Sequence, residues 1–503
     1  MILGDPHTTA AEADSAGQPT LDDLFRRAAL RRPGEYALID ASDRRRFADG
    51  APRYVSYAAA DRMVTAIAGR LHRLGLARDS VIALQMPNMV EGVLALLGVL
   101  RAGMIAAPLP LLWRREEMVS ALGRIGAKAI ICGGRAGSHV LCEDAVQAAA
   151  EVFSIRHVCG FGSSLADGVA SFSELFTTDL LDARSSLERP EDAAAHLALI
   201  TWDTNAKGIV PVARSHNELI EGGIAVMLEG QIAQDAIILG SVLQGSFAGL
   251  ALTVVPWLLR GGTLMLHQPF DPDVLAAQCA ELRCDTLVLP GPLIPSLAEA
   301  GLLAHDDLKN IIAVWRNPER LAFAPPWREA TVRLIDVQAF GETGLIAARR
   351  TGAGIPAGLV PGRQITRTDA GTLALRGPMV PRHPFPPGAE RGDEPYFEAD
   401  VSGLVDTGYP CRVNRATGMI ELSGPPASIV NVGGYRFRRD DLARHIDDSG
   451  MAASITALPD ATLSHRLAGN AVDREAVRRE LTARGANPLI AGAFRDRRKP
   501  RAA

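Results

Sequence analysis

Residues 81–131 read VIALQMPNMVEGVLALLGVLRAGMIAAPLPLLWRREEMVSALGRIGAKAII. Three short apolar runs, VIALQM, MIAA and KAII, have strand length, and they are separated by two stretches long enough for helices, residues 90–103 and 116–125. Strand, helix, strand, helix, strand is the pattern of a parallel α/β sheet. The most membrane-like part, residues 90–112, is broken by Glu91 and Arg101 and by prolines at 108 and 110, so a buried helix and strand explain it better than a span. Working outward, residues 57–76 place apolar side chains three and four apart, the spacing of an amphipathic helix, and residues 21–40 read as a helix followed by the strand EYALID. Downstream, AIILGSVL, TLMLH, DTLVLP, NIIAVW and VRLIDV supply further strands, with helices through WLLRG and DPDVLAAQCAELR.

The chain has 503 residues. One hydrophobic core rarely grows past about 300 residues, so at least two domains are expected. Fifty-three basic side chains against 57 acidic ones, with no basic stripe, argue against nucleic acid as a partner. The six cysteines show neither repeated close pairs nor nearby histidines, so no disulfide framework and no metal site is assigned, and a cytoplasmic location is expected. Residues 1–18 read as a flexible leader with acids where a signal peptide would carry bases. Proline and charge crowd residues 381–395, marking an exposed loop, and the chain ends in the basic stretch RDRRKPRAA, read as a solvated terminus.

The order of VIALQMPNMVEGVLALLGVLRAG, VVPWLLRGGTLML, FDPDVLAAQCAELRCDTLVLPGPLIPSL, AFGETG, GTLALRGPMV, GLVDTGY and the Gly433-Gly434 pair resembles the adenylate-forming (AMP-binding) superfamily of acyl-CoA synthetases, nonribosomal-peptide adenylation domains and luciferases. The resemblance covers essentially the whole chain. It implies a large N-terminal domain over residues 19–422, built of parallel-sheet α/β subdomains plus a β-rich one. A small α+β C-terminal domain over 423–503 is expected to swing between two half-reactions. It also implies ATP and magnesium, a carboxylate substrate, and CoA or a carrier protein as acceptor.

Several residues depart from that pattern. The family's phosphate loop is rich in glycine, because backbone N–H groups can wrap an anion only where side chains are absent. Here the corresponding stretch is WDTNAKG, which leaves Thr204 and Gly208 as loop candidates, puts Asp203 beside the expected anion, and offers Lys207 three residues from the family's lysine position. Ser215, His216 and Asn217 match the element that follows. In the next element Phe340, Gly341 and Thr343 match, but Gly344 stands at the position of the magnesium-holding glutamate. Tyr409 follows Thr407-Gly408 where the family has a ribose-binding aspartate, and a phenol cannot make that charged bidentate contact. Pro425, Ala427 and Ser428 replace the hinge arginine, lysine and aspartate, and Pro425-Pro426 restrict rotation. Beyond the hinge only Lys499 is available for the family's catalytic lysine.

On these residues the catalytic candidates are His216, Thr343 and Lys207. The cofactor-binding candidates are Thr204, Gly208, Phe340, Gly341 and Tyr409. The expectation is an acyl-CoA synthetase-like protein that binds an acyl or acyl-thioester ligand, with its ATP and magnesium chemistry in question and CoA or acyl-CoA as an open ligand. Two alternatives stand beside it: a diverged but active carboxylate-activating ligase, and an ATP-independent acyl transferase with His216 as base and Cys279 or Cys284 as nucleophile. Gly245, Ser246, Ala248 and Gly249 either leave room for an apolar ligand or allow close helix packing.

Overall fold

The computed structural model describes residues 18–176, 193–329, 331–352, 354 and 358–495. The leader up to residue 17, the basic stretch from 496 and Lys499 lie outside these residues. Two mostly parallel sheets form the large domain. The seven-stranded sheet centres on Val81–Gln85, flanked by Ile105–Pro108 and Ala129–Gly133, the three runs from which the reading began. The eight-stranded sheet carries Ile237–Gly240, Thr263–Leu266, Thr286–Pro290, Asn310–Trp315 and Arg333–Phe340 as parallel neighbours. One hydrophobic cluster joins side chains of both sheets through the helices Leu21–Arg31, Tyr57–Arg73, Val90–Arg101 and His216–Glu229.

Every residue of Val90–Arg101 is buried. The two charges in it are matched inside the fold: Glu91 meets Arg44 and Arg53, each at 2.7 Å, and Arg101 meets Asp22 at 2.8 Å and Asp61 at 2.7 Å. A buried charge is tolerated when it is paired and hydrogen-bonded. Among the described residues no helix is long and apolar enough to cross a membrane.

A four-stranded antiparallel sheet within residues 365–422 follows the large sheets. The strands Ile429–Val432, Tyr435–Arg438, Ala453–Asp460 and Ser464–Ala471 form another, covered by the helices Arg439–Asp447 and Arg474–Ala483. The chain therefore has a large α/β N-terminal part and a smaller α+β C-terminal part.

The clearest departure from expectation lies at residues 197–215. The resemblance puts a phosphate loop here, yet Leu197–Asn205 and Gly208–Ser215 are long antiparallel strands, and Asn205 pairs with Gly208 across the two-residue tip Ala206-Lys207. Both strands are buried almost throughout, Ile200 and Trp202 packing into one hydrophobic cluster and Val210 and Val212 into another, so the backbone polar groups here go to strand pairing rather than to an anion.

The small residues after Ser241 serve both roles, Gly249 being closely packed while Gly245 and Ser246 also line a cavity. Phe247 lies against Gly222 where a side chain would stand, and a Cβ on Gly245 would come within 2.9 Å of the Leu109 carbonyl. Cys279 and Cys284 are buried beneath the eight-stranded sheet, where burial raises the Cys284 thiol well above its ordinary range. The His216 Nδ1 accepts the Leu21 N–H at 3.3 Å. The structure speaks against the cysteine-nucleophile alternative, because both thiols are buried in the core and neither lines the cavity between the two domains.

Replacing Gly222 by alanine forces its Cβ into the Phe247 ring. A loss of about 1–3 kcal/mol is expected in urea unfolding, whereas alanine at the open position Gly123 tests the helix without a clash.

Candidate functional site

A cavity of about 550 Å³ lies between the large and small domains. The 197–215 hairpin forms its floor, the Gly341-Glu342 turn and the Leu109-Pro110 segment form its walls, and the Gly433-Gly434 turn of the small domain reaches into it. Both glycines of that turn have positive φ, +58° and +96°, which only glycine adopts without strain. The following strand then places alternate side chains on opposite faces. Tyr435 on one face accepts the Leu112 N–H at 3.0 Å, while Arg436 and Arg438 on the other reach the 197–215 hairpin.

The deepest of these contacts is an ion pair between Arg436 and Asp203. Asp203 also accepts the Glu342 N–H at 2.8 Å and the N–H of Thr204 at 2.7 Å, so both of its oxygens are used. Burial disfavours the Arg436 charge, but Asp203 together with Tyr409 and Glu342 holds the guanidinium above its ordinary value. Gly341, at φ +57°, lies directly on this pair, and a Cβ there would strike both partners. Arg438 adds bonds to the carbonyls of Ala206 and Lys207 at 3.4 and 3.3 Å.

Behind the pair, Arg214 is fully buried and stacks 3.8 Å from the Phe247 ring centroid. It donates to the carbonyls of Glu342 and Thr343. Burial pulls its pKa down to about 10, opposed by Glu342, Glu218 and Asp203. The Glu342 carboxylate accepts the Phe247 N–H at 2.8 Å, and burial raises its pKa. A second interdomain contact joins Glu117 to Asn487 at 2.8 Å. Burial pushes the Glu117 carboxyl from 4.5 to about 7, against the lowering effect of the Arg114 N–H and Asn487.

The predicted site residues divide into two groups. Thr204, Lys207, Gly208 and Gly341 line the cavity. Phe340, Thr343, Tyr409 and His216 lie in the surrounding core. Lys207 turns away at the hairpin tip, 3.1 Å from Glu398 and over the Tyr396 ring at 5.5 Å. Tyr409 is wholly buried, edge-on to Phe340 with centroids 5.5 Å apart, and burial pushes its phenol up to about 12. Arg214, Arg316, Tyr435, Arg436 and Glu117 were not singled out from the sequence. The one signal for them was arginine following the quoted Gly433-Gly434 turn, in YRFRR.

These residues do not fit a magnesium–triphosphate group. The cavity lining holds six arginine and lysine side chains against seven aspartates and glutamates. The tip N–H groups of Lys207 and Gly208 are taken by the Asn205 side chain at 2.8 and 3.2 Å.

A family model described as AMP-binding enzyme matches residues 25–343. The chain belongs to that family. It is similar over 121 residues, at 34% identity, to long-chain fatty acid transport protein 1 of Bos taurus, a match covering 24% of this chain and 18% of that protein. Against 4-coumarate-CoA ligase 1 of Narcissus pseudonarcissus the identity is 22% over 280 residues, 54% of this chain and 49% of the relative. The chain thus matches about half or less of the length of these relatives. Among solved structures, apo MbtA of Mycobacterium smegmatis superposes with a TM-score of 0.66 at 20% identity, covering 95% of this chain and 91% of that one. ATP-bound MatB of Rhodopseudomonas palustris gives 0.63 at 17%, covering 92% of each. At these identities the superpositions establish the fold, and together with the family match they make this an acyl-CoA synthetase-like protein.

Undocking the small domain returns Glu117 to water and to the ordinary carboxylate range, so docking takes up a proton. Docking is therefore expected to be strongest below about pH 4.5 and to weaken as the pH rises to about 7. Protection of the domain junction from protease, followed across that range, checks this. Glu117→Gln is expected to flatten the part of the profile that Glu117 contributes.

Proposed function

We propose that this protein is a member of the AMP-binding family that holds a small carboxylate or acyl thioester between its domains without adenylating it. The observation that carries this reading is the Asp203–Arg436 pair, which puts a committed carboxylate and its counter-ion on the hairpin where the family resemblance calls for an anion-wrapping loop. Three further features agree with it. Lys207 is engaged by Glu398, Tyr409 stands in the core in place of a ribose-binding carboxylate, and acids outnumber bases around the cavity. A triphosphate brought here would meet acids already in place and lose the electrostatic positioning that phosphoryl chemistry depends on.

The opposite reading, an active carboxylate-activating ligase using ATP and magnesium, is favoured by the retained Phe340-Gly341-x-Thr343 element. It requires the small domain to withdraw and Arg436 to release Asp203.

Calorimetric titration with ATP and magnesium, and then with AMP, separates the two. A ligand at about 100 times its Kd stabilises a fold by about 2.7 kcal/mol. Neither saturable heat nor a shift in thermal unfolding is expected here, and no pyrophosphate exchange with any acid. Micromolar ATP binding accompanied by exchange would instead establish the ligase reading.

A further inference from the structure

In the small domain the strand Ala453–Asp460 lies at the edge of its sheet and pairs on one side only, with Ser464–Ala471. Alternate backbone groups on its outer side therefore have no strand to bond to, and a free edge of this kind is a template for a further strand. The helix Arg439–Asp447 runs beside that edge, and a groove of about 340 Å³ lies between the two. Arg439, Leu442, Ala443, Ile446 and Asp447 line one wall, the spacing of a single helix face, and residues 453–457 line the other. Consecutive residues of a strand border one space only when that space lies along the strand's edge, because its two faces take alternate side chains.

The floor of the groove is apolar and its ends are charged. Leu442 and Ile446 belong to the core cluster of the small domain and Ile455 packs against it, while Ala443, Ser454 and Thr456 are exposed. The turn 448–452 joins the end of the helix to the start of the strand, so the two run in opposite directions. Asp447 therefore stands at the Ala453 end of the groove and Arg439 at the Ala457 end. Both are exposed, and among the described residues neither has an ion-pair partner. The Arg439 Nε donates to the Ala427 carbonyl at 2.9 Å, which holds the guanidinium at its end of the groove.

We propose that this groove is a dimer interface for a second copy of this chain, in which the two Ala453–Asp460 strands pair antiparallel about a two-fold axis at Ile455. That register sets Ala453 against the partner's Ala457 and Ser454 against the partner's Thr456, and facing hydroxyl side chains favour an antiparallel pair. Because helix and strand run in opposite directions, the same axis brings Arg439 to the partner's Asp447 and Asp447 to the partner's Arg439. Each copy thus supplies the counter-charge that the other lacks at both ends of the groove. A two-fold contact is closed, so the paired edges offer no template for further strands. Neither Asp203 nor Arg436 lines the groove, and pairing there does not depend on what the interdomain cavity holds.

Sedimentation velocity on the full chain, from about 1 to about 100 μM, reads the association. The wild type is expected to move from the mass of one chain toward twice that mass across the series. Arg439→Glu and Asp447→Arg each set like charges together at both ends of the interface, and each is expected to weaken the dimer at least about tenfold. Carrying both reversals in one chain restores opposite charges across the axis and is expected to recover the wild-type association. The two positions are about two helical turns apart within one copy, so recovery can come only from contact between copies. Both side chains are exposed, and the reversals put an acid in the first turn of the helix and a base in the last, which suits its dipole and keeps the fold. A monomer throughout the series overturns the proposal and leaves the groove to a strand from a different protein. A dimer unchanged by either single reversal also overturns it, as does a double reversal that associates no better than the single ones.

Discussion

The Asp203–Arg436 ion pair ties the hairpin of the large domain to the turn of the small one. Two charges removed from water are stable together only when their remaining hydrogen-bonding capacity is used, and removing one partner typically costs about 3–5 kcal/mol. Asp203 meets that condition through the Glu342 and Thr204 N–H groups. The pair in turn dictates its surroundings. Gly341 has no space for a side chain, the Glu342 backbone turns toward Asp203, and the Gly433-Gly434 turn must project far enough for Arg436 to reach across.

Around that contact the domain interface is mostly polar. Tyr435, Arg438 and Asn487 of the small domain each find a partner on the large one, and Arg320 of the large domain reaches the Asp460 carbonyl at 2.9 Å. Such contacts add orientation more than energy, because hydrogen bonds exchanged with water contribute about 1 kcal/mol net. They fix the small domain in a register that covers the cavity and presses Gly434 onto Arg316. The same docking therefore places Asp203 on the hairpin and leaves Arg316, among the described residues, without an acid at ion-pair distance.

The scaffold was legible because it is written in periodicity. Strand-length apolar runs at residues 81–86, 104–107 and 128–131 became parallel neighbours, and the charges of the helix between the first two found buried partners. The site was less legible, for two physical reasons. Long-range ion pairs such as Asp203 with Arg436, 233 positions apart, leave no local pattern in the chain. Small residues are ambiguous as well: Gly245 and Gly249 read equally as a ligand cavity or as close packing, and only the facing atoms show that Gly249 is packed while Gly245 also lines the cavity. At WDTNAKG the family resemblance pointed to a loop, while apolar side chains buried on both faces of the flanking segments hold them as paired strands, a double-sided burial that leaves no period-two pattern to read.

The most direct measurement is a double-mutant cycle between Asp203 and Arg436, using Asp203→Asn, Arg436→Gln and the double variant, with stability read from chemical unfolding. A coupling energy above about 1.5 kcal/mol, in the range for buried charge pairs, is expected if this pair closes the site and holds the small domain. A coupling within about 0.5 kcal/mol of zero would mean that the two residues act independently, and the closed, non-adenylating site would have no foundation.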